Sequence, residues 1–109
     1  INQIQKNVIS NLEKLKKKYK KIIAYGAPAK ATTSLNFFGI SDQIDFIVED
    51  NKLKHNKFVP GVNIKIKSKK NIKEKNIPIV VLAWNFFNEI KKNNKNLSEK
   101  FLNIKDLEK

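Results

Sequence analysis

Ile22-Ile23-Ala24-Tyr25-Gly26-Ala27-Pro28-Ala29-Lys30 is the stretch on which the fold turns. Its first four residues form a short apolar run that stops at the first glycine of the chain, as a strand buried in a parallel sheet does. Pro28 suits the first turn of a helix, and the small residues around it let the strand turn sharply into a helix packed close against it. That helix is expected to run through Leu35, Phe37 and Phe38 and to stop at Gly39.

Upstream, Ile1, Ile4, Val8, Leu12, Leu15 and Tyr19 step by three or four, which predicts a helix with one buried stripe. Lys14, Lys16, Lys17, Lys18, Lys20 and Lys21 gather on its far side and toward its end, where cations sit well against the helix dipole. Downstream, Ile44–Val48 reads as a second strand, ended by Glu49-Asp50-Asn51, and a long polar loop follows from Asn51 to Gly61. Val62–Lys67 alternates apolar residues with lysine, as an exposed edge strand does. Ser68 is expected to cap a short helix through Lys75. Pro78–Ala83 is the most apolar strand, Phe86–Asn94 follows it as a helix, and Phe101–Ile104 is a last strand. Strands alternating with helices predict right-handed βαβ units. The expected class is α/β: a small, Rossmann-like, three-layer domain whose mostly parallel sheet of about four strands carries helices on both faces. One domain fills residues 1–109, with a leading helix over 1–20 and the βαβ core over 21–104.

Composition narrows the function. Net charge is +13, and all 23 basic residues are lysine. Asn and Ile each occur fifteen times, so the lysine excess follows the bias of an AT-rich coding sequence. Without arginine there is no bidentate fork for phosphate or guanine, and a nucleic-acid partner is not expected. Cysteine is absent and histidine occurs once, which leaves no thiolate and no zinc set. No apolar run approaches the ~18 residues that span a bilayer, and the N-terminal stretch lacks the hydrophobic core of a secretion signal, so a cytoplasmic location without a membrane partner is expected. The chain opens at Ile1 inside a helical pattern, as a piece of a longer protein would.

In open α/β sheets, ligands bind beyond the carboxyl ends of the strands, where the strand order reverses. Three clusters fall there: Tyr25-Gly26-Ala27-Pro28-Ala29-Lys30, Glu49-Asp50-Asn51 and Ala83-Trp84-Asn85-Phe86. The first offers free N–H groups of a helix start with Lys30 one turn in, an arrangement for a phosphate or carboxylate. The other reading is a tight turn with an exposed lysine, because only one of the three glycines of a dinucleotide fingerprint is present. Asp50 follows Gly26 by a little over twenty residues, a spacing at which an acid meets a ribose hydroxyl, or else it simply makes a turn. Trp84 stacks on a base or sugar, or lies in the core; Asn85 is placed to cap the helix beginning at Phe86. His55 is a lone loop histidine, and no catalytic set can be assembled from the chain.

Ile22–Ala31 and Leu35-Asn36-Phe37-Phe38-Gly39-Ile40 resemble the opening of the C-terminal domain of S-adenosylmethionine-dependent sugar C-methyltransferases. Val48-Glu49-Asp50-Asn51, Lys57-Phe58-Val59-Pro60-Gly61 and Leu82-Ala83-Trp84-Asn85-Phe86 agree in order and spacing, so the likeness covers about Ile22 to Asn94. It implies a Rossmann-like domain at the end of a longer polypeptide, behind a zinc-binding segment and a methyl-donor-binding domain. S-adenosylmethionine and the catalytic base would then lie outside this segment. The implied substrate is a nucleotide-linked keto-deoxysugar, methylated on carbon after a proton is removed beside the ketone. Tyr25, Gly26, Ala27, Ala29, Lys30, Asp50, Trp84 and Asn85 would contribute substrate binding, the first helix start meeting the diphosphate. The implied partners are the sugar nucleotide and the preceding methyl-donor domain. A stand-alone nucleotide- or coenzyme-binding module without methyltransferase activity is the other reading of the same residues.

Overall fold

The computed structural model describes residues 3–26, 43–50, 64–73, 75–98 and 100–109. Helix α1 (Gln3–Tyr19) leads, followed by β1 (Ile23–Tyr25), β2 (Phe46–Val48), β3 (Ile66–Lys67), β4 (Ile79–Val81), helix α2 (Phe87–Asn93) and β5 (Phe101–Asn103). All five strands pair parallel in one sheet of order β3-β2-β1-β4-β5. The sheet therefore has five strands rather than about four, because both edge segments pair: β3 on β2 and β5 on β4.

Alternation along the strands splits the core into two layers. Ala24, Ile47, Ile66 and Val80 face α1, meeting Val8 and Leu12. Ile23, Tyr25, Val48, Ile79, Val81 and Phe101 face the other way, where Phe87 and Ile90 of α2 pack against them. Helices thus cover both faces. Val8 and Leu12 are the buried part of the α1 stripe, whereas Ile4, expected within it, is 52% exposed and takes no part in the core layer on that face.

Helix α1 stops without glycine. Lys20 takes a left-handed backbone (φ 71°) while its N–H still reaches the Lys16 carbonyl at 2.9 Å. The left-handed residue is the usual helix stop, filled here by a side chain that pays for its Cβ. Asp45 then clamps the entrance of the sheet: its carboxylate accepts the Ile22 N–H at 2.8 Å and the Lys16 ammonium at 2.7 Å.

Two helical expectations are corrected. Ser68 does cap, accepting the Lys70 N–H at 3.3 Å, but the cap serves a 3-10 turn over Lys69–Asn71, not a helix to Lys75. Ile72 leaves helical geometry for an extended backbone and packs against the α2-side core, which ends the turn. Asn85 is not a cap. Trp84–Phe86 is a 3-10 turn that runs directly into α2, so the helix continues a turn already begun and takes no side-chain cap. The chain closes with a 3-10 turn over Ile104–Glu108, which carried no sequence signal. Asn7 and Asn11 of α1 donate to its carbonyls at Glu108 and Leu107, at 2.9 and 2.8 Å. The expected helix after Pro28, the loop holding His55, and Val62 all lie outside the described residues.

Candidate functional site at the carboxyl edge of the sheet

Strands β2 and β3 lie on one side of β1 and β4 and β5 on the other, so the order reverses between β1 and β4. Gly26 ends β1 at that point. Its N–H donates to the Val48 carbonyl at 2.9 Å, and across the gap the Leu82 N–H donates to the Tyr25 carbonyl at 2.9 Å. Gly26 has φ +90°, and a Cβ there would stand 3.2 Å from the Ala83 Cβ. Glycine is required at this position on both counts: the backbone conformation and the close approach of the β4 loop.

Gly26, Asp50 and Trp84 therefore share one edge, at the ends of β1, β2 and β4. Trp84 is 50% exposed and Phe86 58%, so the indole is not core. The Lys105 ammonium lies 4.8 Å from the Trp84 ring centre, a cation–π contact brought in by the turn after β5. Asn85 is exposed beside them. Ala27, Ala29 and Lys30 lie outside the described residues.

The polar centre of the edge is Asp50. The Tyr25 hydroxyl donates to its carboxylate, 2.8 Å from each oxygen, and the Lys69 ammonium stands 3.2 Å from Oδ1. Lys69 also donates to Asn94 Oδ1 at 3.0 Å. Burial first, then the hydrogen bond to Asp50 and its negative charge, push the Tyr25 phenol far above the usual tyrosine range. Tyr25 is thus a firm donor at any physiological pH, and it serves to hold Asp50.

Sequence reasoning missed Lys69 and Asn94. Lys69 sits in a stretch with six lysines between Lys65 and Lys75, where nothing local distinguishes it, and Asn94 reads only as the end of a helix. Among the described residues no group of three His, Asp or Glu is placed to hold a metal ion. No helix there is long and apolar enough to cross a membrane.

The described part of this edge presents the Tyr25 hydroxyl, the Asp50 carboxylate and the Lys69 ammonium as its donors and acceptors. No curated protein matches the sequence. A family model, the C-methyltransferase C-terminal domain, matches residues 1–103, almost the whole chain and all five strands. With that match over nearly the whole length and an all-parallel α/β sheet beneath it, the chain belongs to the C-methyltransferase C-terminal domain family.

Proposed function

We propose that this domain binds a nucleotide-linked sugar at the carboxyl edge of its sheet, as the substrate-holding part of an S-adenosylmethionine-dependent C-methyltransferase. The observation that carries the reading is Gly26: a left-handed backbone, with no room for a Cβ, at the one place where the strand order reverses. Backbone amides beside such a glycine can approach a diphosphate closely. Gly26, Ala27, Ala29 and Lys30 meet the diphosphate in this reading, Tyr25 and Asp50 a hydroxyl-bearing part, and Trp84 with Asn85 the far lip of the crevice. The exposed Trp84 and Phe86 also offer apolar area for packing against a preceding methyl-donor domain. The donor belongs on that domain, and no step through it is assigned to this chain.

Lys30 tests the reading. In the full-length protein, Lys30→Ala should weaken sugar-nucleotide binding about ten- to a hundredfold, the worth of a partly shielded charge contact, whereas Lys17→Ala on the solvent face of α1 should change little. Titration calorimetry measures both. Equal, small effects would return Lys30 to the solvated surface and leave the diphosphate to the neighbouring domain.

A further inference from the structure

Two elements besides β2 touch Asp50, and a third holds one of them. Tyr25 comes from β1, Lys69 from the 3-10 turn after β3, and Asn94 from the end of α2. Asn94 is only 4% exposed, and both ends of its carboxamide are used: Oδ1 accepts from Lys69, while Nδ2 donates to the Ile90 carbonyl at 2.8 Å.

Stability is a poor reason for such a network. Water would satisfy the same groups in the unfolded chain, and an exposed ion pair such as Lys69–Asp50 adds little to stability. What the network does provide is orientation. An exposed carboxylate turns freely about two bonds, and the Asp50 side chain is 59% exposed. Here a hydroxyl bridging both oxygens fixes the plane of the carboxylate, and an ammonium on Oδ1 fixes its direction. The ammonium is held in turn by Asn94.

A carboxylate only accepts, so its natural complement is a hydroxyl or N–H, never a phosphate oxygen. Lys69 offsets the charge of Asp50 on the same edge where a diphosphate is proposed to lie, which lowers the repulsion between the two. We propose that Lys69 and Asn94 are positioning residues that fix Asp50 as the acceptor for a ribose hydroxyl of the nucleotide. The proposal rests on the reading of this edge as a sugar-nucleotide site.

The test measures discrimination rather than affinity. Full-length protein is titrated with uridine diphosphate and with its 2′-deoxy and 3′-deoxy analogues. Wild type should bind uridine diphosphate about tenfold or more tightly than one of the two, as expected for a hydrogen bond to a charged acceptor. Lys69→Met should bring that ratio within about threefold and leave the affinity for the deoxy analogue within about twofold, because the lost interaction is with the missing hydroxyl. Lys69→Arg should restore most of the ratio. Asn94→Leu should act in the same direction; as Asn94 is buried, the more exposed Lys69 carries the decision. An unchanged ratio in Lys69→Met, or a wild type that does not discriminate, overturns the positioning role while binding of uridine diphosphate upholds the site. If none of the three nucleotides binds, the site and the role fall together.

Discussion

Single backbone positions shape the edge more than any side chain does. Gly26 carries φ +90° with a would-be Cβ 3.2 Å from Ala83. Gly26→Ala should therefore lower stability by about 2 kcal/mol, joining the penalty of a left-handed alanine to a tight contact. A denaturant midpoint shift with unchanged slope is the expected signature, and no shift would mean that the loop relaxes freely. Tyr25 makes the second residue-scale prediction. Its phenol pKa is raised in the folded protein above the ordinary 10.0 by burial and by the Asp50 carboxylate. A raised folded value means that the contribution to stability is whole below that ordinary value and declines as pH rises past it, where the unfolded chain ionises and the folded one does not. Wild type should accordingly lose more stability between about pH 9 and about pH 11 than Tyr25→Phe does. Parallel losses in the two proteins, followed by thermal melts, would count against a buried, held hydroxyl.

At the scale of elements, short strands are held by polar clamps at their entrances. Strands of three residues bury little by themselves, and the turns between them decide where they sit. Asp45 ties the end of α1 to the starts of β1 and β2 through the Lys16 ammonium and the Ile22 N–H. Ser98 does the same between β4 and β5. Its hydroxyl lies between the carbonyls of Ile77 and Lys75, at 2.7 and 3.0 Å, and accepts the Lys100 N–H at 3.0 Å. Ser98→Ala should cost about 1–3 kcal/mol, since it leaves a buried carbonyl unpaired. Ser68→Ala, which removes a longer, exposed cap bond, should cost clearly less. Equal losses in urea denaturation would show that burial at Ser98 is not what matters.

For the whole molecule, charge is the largest unbalanced quantity. The chain carries +13, and among the described residues only three ion pairs form, each partly exposed. Exposed pairs contribute little, whereas like charges spread over a small domain repel one another. Raising salt from about 0.02 M to about 0.5 M should therefore raise the melting temperature, because screening removes more repulsion than attraction. A falling melting temperature would mean that Lys16–Asp45 and Lys69–Asp50 outweigh the net excess.

The sequence by itself determined the leading helix, the three inner strands and the residues that end those strands. Apolar runs at Ile22–Tyr25, Ile44–Val48 and Pro78–Ala83 supply the three inner strands, buried but for the partly covered Phe46 where they pair, and each is followed at once by Gly26, by Glu49-Asp50 or by Trp84. Those three lips of the edge were legible for that reason: the rule needs only local pattern and the parallel sense of the strands. Tertiary structure decided the rest. Strand order, which makes β1 and β4 neighbours and puts the reversal at Gly26, depends on pairings between segments more than fifty residues apart. The exposure of Trp84 depends on what α2 and the turn after β5 leave uncovered. Lys69 reaches Asp50, and Asn94 reaches Lys69, only because β3 lies next to β2 and α2 packs on the same face of the sheet. A lysine in a lysine-rich stretch and an asparagine at a helix end carry no periodicity, so their meeting beside one carboxylate is a property of the folded chain.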